Sequence, residues 1–288
     1  MPDGHQRSGV GDPDAFTPPP GHKQAAIRNA ILRNFALSDL ACIGPFLKPI
    51  ALKERTVLQE PKKRVEHITF IETGIVSLRT ISTGCILETA MVGPHGAVGA
   101  SVALGTDTSM HQSIVLVSGS ALRIYADDLR RLMAERPQIR EHLLQYIEAL
   151  MIHGSQTALC GVRHELEQRL ACWLCVAYDA LEGDVLPITH DHLSTILGLR
   201  RAGLTESLIR FEEQGLIRKS RGVMRVRERT LLEQKACSCY GVIASAYDRA
   251  KYLGLRAPKA AVAASKCRSV ATDGSLIGLV AHHYAAVK

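Results

Sequence analysis

The sequence predicts an α+β chain of three parts in order: a small antiparallel β barrel or jelly roll, one long helix, and a pair of short helices followed by a basic hairpin. Three observations carry this. Short β-rich runs punctuated by glycine fill roughly 55–125. Apolar residues then recur every three to four positions through 137–164, and 186–228 alternates short amphipathic runs with glycine turns.

The β-rich runs are 65–71, 75–81, 86–92, 113–117 and 121–125, with Gly74, Gly84, Gly93, Gly96, Gly99, Gly105 and Gly119 between or beside them. Many short strands at close spacing fit a small closed or sandwiched antiparallel sheet. Ile27, Ile31, Leu32 and Phe35 upstream keep helical spacing, so the unit is placed at 23–136. Residues 1–22 are rich in Pro, Gly and polar residues and read as a disordered arm.

A short helix opens at Ala126, with Asp127 and Asp128 in its first turn, and Pro137 fits the first turn of the next. Ile139, Leu143, Ile147, Leu150, Gly154 and Ala158 form one stripe along 137–164, roughly seven turns. Something must cover such a stripe. Either its own domain or a second copy of the same helix covers it; a second copy is the favoured cover, and the small residues at 154, 158 and 161 allow close approach.

Residues 165–240 form the third part, which opens with an amphipathic helix carrying Leu166, Leu170, Trp173 and Leu174. In 186-LPITHDHLSTILGLRRAGLTESLIRFEEQGLIRKSRGVMRVRE-228, Thr189 is placed to cap a helix whose inner side is Leu193, Ile196 and Leu197. Gly198 supplies the turn. Leu204, Leu208 and Phe211 are the inner side of a second helix at about 200–213, which Gly215 ends. Two β-like runs flank Ser220-Arg221-Gly222. Helix, glycine turn, helix and hairpin is the order of a winged helix-turn-helix.

Charge follows the same division. Residues 1–185 hold 18 Lys and Arg against 20 Asp and Glu; 186–230 hold nine against five; 231–288 hold eight against three. The positive excess lies wholly in the C-terminal third, which points to an anionic partner there. The outer face of the second helix is Arg200, Arg201, Ala202, Thr205 and Glu206, and 218–229 holds six basic residues and one acid.

Residues 188–217 resemble the DNA-binding motif of the Crp/Fnr regulators, through Ile188-Thr189, Leu193, Ile196-Leu197-Gly198, Arg201, Leu204, Leu208, Glu212 and Leu216-Ile217. The stretch 74–105 is similar to the sensory barrel of that superfamily, and Cys237-x-Cys239-Tyr240 to the ending of one proteobacterial branch. The resemblance covers about 25–240. It implies a homodimeric transcription regulator that binds double-stranded DNA at an inverted repeat, with RNA polymerase as a further candidate partner. It puts base reading on Arg201, Ala202, Thr205 and Glu206, with Arg200 beside them. Arginine can pair with guanine, glutamate can accept from cytosine N4, and a methyl can touch thymine. Phosphate contacts fall on Thr189, Arg210, Lys219, Arg221 and Arg225, which position rather than specify. The competing reading is a small-molecule-binding signalling or scaffold protein whose helix-turn-helix docks another protein. The arginines on the outer face argue for DNA.

Members that bind cyclic nucleotides hold the ribose with a Gly-Glu and the phosphate with an arginine. Here Gly99 is followed by Ala100, no arginine occurs from 80 to 122, and His111 is the nearest cation candidate. This argues against cyclic AMP and leaves the effector and ligand pocket unassigned. An N-terminal iron–sulfur cluster lacks its ligands, because only Cys42 precedes residue 85. Cys172 and Cys175 with Cys237 and Cys239 suit either buried packing or metal and redox chemistry, and packing is preferred. His190-Asp191-His192 has ligand chemistry on a surface helix. No metal and no cofactor is assigned.

Eight cysteines with no export signal read as reduced thiols of a cytoplasmic protein, and no apolar run is long enough to span a membrane. No phosphate-binding glycine loop or nucleophile elbow is present, so an enzyme is not expected. Residues 241–288 are Ala-rich and basic and read as a partly disordered tail.

Overall fold

The structure, a computed structural model, describes residues 27–181 and 183–253. The arm at 1–22 and the tail beyond 253 lie outside them. Two long strands organise the N-terminal part: β3 (His67–Ser82) and β6 (Gln112–Tyr125), with β1 (Lys48–Leu52), β2 (Val57–Gln59), β4 (Cys85–Val92) and β5 (Ala97–Val98) around them. The sheet runs β1-β6-β3-β4, with β2 on β6 and β5 on β3, and every pairing is antiparallel.

The sequence predicts two strands on either side of Gly74 and two on either side of Gly119. In the structure each pair is one strand. The glycines bend the ladder instead of ending it: Gly74 has φ +87°, and the β3–β6 register shifts around Thr73 and Ile75. A Cβ on Gly119 would stand 2.1 Å from the Thr73 carbonyl oxygen, so backbone meets backbone where a side chain has no room.

β3 is buried on both faces over 68–71 and 74–79 and exposed at its end, 80–82. Ile68, Phe70 and Ile75 point into a core shared with the helices, while Ile71, Val76 and Leu78 fill the barrel with Val92, Val98 and Val115. Two short helices, α1 (Ala30–Arg33) and α2 (Leu37–Ile43), close one side. Buried Asn29 pins them: its Oδ1 accepts from the Ile31 and Leu32 amides, and its Nδ2 donates to the carbonyls of Ile71 and Gly96 at 2.9 and 2.8 Å.

α3 (Ala126–Glu135) leads into α4 (Pro137–Arg163), with Pro137 in its first turn as expected. The stripe on α4 needs correction. Ile139 and Leu143 are fully buried and Ile147 nearly so, all within their own chain's core, so these three are not free for a second copy. The first half of α4 lies on the barrel and spends its apolar face there. Leu150 and Gly154 are half-buried. The face that leaves the molecule is displaced around the helix, onto Met151, Ala158, Leu159 and Val162, the last 83% exposed.

α5 (Leu166–Asp179) is more enclosed than an amphipathic helix: every residue from 170 to 178 is buried. There follow β7 (Val185–Leu186), α6 (His190–Leu197), α7 (Arg201–Glu213), β8 (Ile217–Ser220), β9 (Val223–Val226) and α8 (Arg229–Lys235), with sheet order β7-β9-β8. The expected tail from 241 is a second correction. α9 (Cys239–Leu253) carries the chain back onto α4, and Ile243, Ala246 and Tyr247 join the core. Buried His153 of α4 and the Tyr247 hydroxyl share a hydrogen bond of 3.0 Å.

Candidate nucleic-acid interface

α6 begins where the sequence places it. Thr189 is extended at the N-cap, and its Oγ1 accepts from the His192 amide at 3.2 Å. Leu193 and Ile196 are buried beneath. Gly198, at φ +61°, ends the helix: the Leu199 amide donates to the Ser194 carbonyl at 2.9 Å and the Gly198 amide to Thr195 at 3.3 Å. This is the Schellman arrangement, which requires a left-handed residue at that position. The turn sets α7 across α6.

Leu204, Ser207, Leu208 and Phe211 are wholly buried on α7. Helical geometry therefore leaves Arg200, Arg201, Ala202, Glu206, Ile209 and Arg210 exposed, with Thr205 half-buried and its Oγ1 3.5 Å from His190 Nδ1. An open groove of about 430 Å³ lies between the starts of α6 and α7 and the β8–β9 hairpin, lined by Thr189, His190, Asp191, Arg201, Lys219 and Arg221 among others. Burial, then the nearby Lys219 and Arg201 charges, lower the His190 pKa, against the opposing pull of Asp191.

The expected contact residues differ in how free they are. Arg201 Nε meets Asp191 Oδ1 at 2.9 Å, but both side chains are about two-thirds exposed. An ion pair that open to water is worth ~0–1 kcal/mol, so Arg201 can exchange Asp191 for another acceptor at little cost. Glu206 has no ion-pair partner among the described residues, because Arg210, four residues on, pairs with Glu167 of α5 and reaches Ser207 Oγ at 3.1 Å. Lys219 is the most committed. Its side chain is 17% exposed, its Nζ lies 3.2 Å from Glu212 Oε2, and its amide donates to Glu212 Oε1 at 2.9 Å. It ties the hairpin to α7. Arg225 pairs with Asp184 at 3.3 Å, and Arg221 stands exposed at the hairpin tip beside Gly222.

The helix pair also touches the barrel. α6 packs on β4, and Arg79 Nη2 donates to His192 Nε2 at 2.7 Å. Arg79 Nε donates to Ser77 Oγ at 3.0 Å, Ser77 donates to Glu88 Oε2, and the Trp173 indole donates to Glu88 Oε1 at 2.6 Å. A continuous polar chain thus runs from α5 through β4 and β3 to α6. His190 and His192, two positions apart on a helix, face the groove and the barrel respectively, so they do not converge as a ligand pair.

In the barrel, Gly99 is left-handed at φ +85° and Ala100 begins a 3₁₀ turn with its methyl buried. Burial lowers the His111 pKa. The cysteines regroup. Cys172 gathers with Cys160, Cys237 and Cys239, whereas Cys175 belongs to the main core. The sequence reading missed Cys160 and His164; their signal was Cys-x-x-x-His at the end of α4, which puts both on one helical face.

Residues 168–235 match the family described as Crp-like helix-turn-helix domain. No curated protein matches the chain by sequence. Among solved structures it is similar to FixK2 from Bradyrhizobium japonicum, at TM-score 0.58 and 14% identity over 66% of this chain and 98% of that one. It is similar to the c-di-GMP-responsive global regulator CLP of Xanthomonas campestris, at TM-score 0.55 and 14% identity over 67% and 100%. It is also similar to a CRP/FNR-family transcriptional regulator of Thermus thermophilus, at TM-score 0.51 and 18% identity over 66% and 98%. The chain thus shares its fold with these structures, and its residues 168–235 form a Crp-like helix-turn-helix domain. No helix among the described residues is long and apolar enough to cross a membrane.

Proposed function

We propose that the chain, which carries a Crp-like helix-turn-helix domain at 168–235 in a fold shared with solved regulators, is a sequence-specific DNA-binding transcription regulator of Crp/Fnr type acting as a homodimer. The observation that carries the reading is the outer face of α7. Arg200, Arg201, Ala202 and Glu206 stand exposed at the helix start, next to a groove edged by Arg221. The start of a recognition helix is the part that reaches base edges in the major groove. Arg201 is assigned to guanine, Glu206 to cytosine N4, and Thr205 and Ala202 to a thymine methyl. Arg221 and Thr189 are assigned to phosphates.

The homodimer reading rests on α4. Met151, Ala158, Leu159 and Val162 leave an exposed apolar face along its second half, where a second copy of the helix fits. Two recognition helices then address half-sites about 34 Å apart, one turn of DNA. The test is fluorescence anisotropy with duplexes selected from a random pool, at several salt concentrations. An inverted repeat with two equal half-sites and a steep salt slope is the expected result. Equal binding to selected and random duplexes at every salt concentration would sink the proposal.

A further inference from the structure

The segment between α8 and α9 brings Cys237 and Cys239 against the last turn of α4, where Cys160 and His164 stand four residues apart. Cys160 Sγ is 3.4 Å from Cys237 Sγ, and Cys239 Sγ is 3.6 Å from His164 Nδ1. All four atoms lie within 4.8 Å of one another, with the three thiols buried and the imidazole half-buried at the edge. Ligands around one tetrahedral zinc, with bonds of ~2.3 Å to sulfur, stand roughly 3.8 Å apart, so these separations suit a single ion. They are too short for the sulfurs to surround a multi-iron cluster.

Two plainer explanations fail on particular atoms. Cysteines pack as small apolar side chains. Here, however, four of the chain's eight gather in one cluster, and an imidazole nitrogen is turned toward it. A disulfide between Cys160 and Cys237 would use two sulfurs and leave Cys239 and His164 converging on nothing. Three sulfurs and one nitrogen form a closed set of the kind found in structural zinc sites, and soft donors select against Mg²⁺ and Ca²⁺. Cys172 of α5 lies against Cys160 and Cys237, where its S–H can donate to their sulfurs, the support that bound thiolates need.

We propose that Cys160, His164, Cys237 and Cys239 bind one Zn²⁺ ion that joins the end of α4 to the start of α9. The ion fastens together the long helix, the domain carrying α6 and α7, and the helix that folds back over α4. Its coordination is complete, so it is structural and leaves no open position for a substrate.

The full chain, purified with a reductant and without added metal, is expected to hold about one zinc per chain by elemental analysis. After chelation, Co²⁺ alone should restore one equivalent with the visible bands of a tetrahedral site and thiolate-to-cobalt charge transfer. Cys239→Ser and His164→Ala should each weaken Zn²⁺ binding more than about 100-fold, beyond what losing an outer-shell partner costs. Cys85→Ser, at an exposed thiol outside the cluster, should leave it unchanged. The proposal is overturned by wild-type chain that takes up neither metal stoichiometrically, by a Co²⁺ spectrum without thiolate charge transfer, or by a Cys160–Cys237 disulfide recovered from reductant-free protein. Undiminished affinity in both ligand variants overturns it too. The wild-type measurements decide the matter even if a variant fails to fold.

Discussion

The indole N–H of Trp173 donates to Oε1 of Glu88 at 2.6 Å, joining α5 to strand β4 through two buried side chains. Loss of water pushes the Glu88 pKa up to about 7, against the opposing pull of Ser77, Trp173 and Arg79. The ordinary value is 4.5. Between the two, the folded chain keeps a proton that the unfolded chain has released. The resulting stability is fully present below the lower value and is lost as pH rises through about 7; its full size is on the order of 3 kcal/mol. Glu88→Gln cannot titrate. Urea midpoints from about pH 5 to about pH 8 should show wild type losing stability relative to Glu88→Gln as pH climbs. A gap of constant size across that range would refute the assignment.

His153 should act with the opposite sign. Burial lowers its pKa to about 4 from 6.5, and it shares a hydrogen bond with Tyr247. Here the unfolded chain takes up the proton first. The contribution is present above 6.5 and disappears as pH falls toward 4, again on the order of 3 kcal/mol. Amide hydrogen exchange in α9 should therefore accelerate in mild acid before exchange in α5 does, and His153→Gln should remove that difference. Simultaneous loss of protection in both helices would count against it.

The proposed roles divide the groove residues into readers and anchors. Arg201→Ala should cost about 1–3 kcal/mol at one base pair and relax the preference there. Arg221→Ala should weaken all duplexes alike and lower the salt slope by about one. Lys219→Ala should behave differently from both, because Lys219 is spent on Glu212. It should lower hairpin stability with little change in the salt slope. A salt slope that falls as much for Lys219→Ala as for Arg221→Ala would restore a phosphate role to Lys219.

To test the proposed homodimer, Met151→Glu combined with Val162→Glu adds charge to two exposed positions on the outer face of α4. Sedimentation should show a dimer weakened by at least tenfold, ~1.4 kcal/mol, with unchanged circular dichroism. Leu143→Ala should instead cost ~2–5 kcal/mol of folding stability, because Leu143 lies in its own chain's core. An unaltered dimer in the double variant would remove α4 as the interface.

How much of this could be read from the sequence varied with how local the cause was. Thr189, Gly198 and the Leu204–Leu208–Phe211 spacing are local rules of capping, turn and helix period, and the structure follows them. Gly74 and Gly119 were visible as interruptions but not as bends, because a glycine that ends a strand and one that lets two backbones meet look alike in one dimension. The α4 stripe was legible as apolar. What covers it was not, since α9 is distant in sequence and weakly patterned. Cys160 and Cys237 are 77 positions apart, and nothing local signals that they meet.

α9 has a consequence for the order of events during synthesis. The stretch of α4 around Ala149 and His153 leaves the ribosome well before the helix that buries it, and the barrel and the helix-turn-helix can form in the interval. Until α9 arrives, the strip of α4 that it covers stays open, with His153 and His95, whose ring lies 4.2 Å from that of Tyr247 in the finished fold, at its margin. A message cut short between α8 and α9 would yield a product whose α6–α7 pair and hairpin are complete but whose α4 is bare along the strip that α9 covers. Such a product is a natural target for proteolysis.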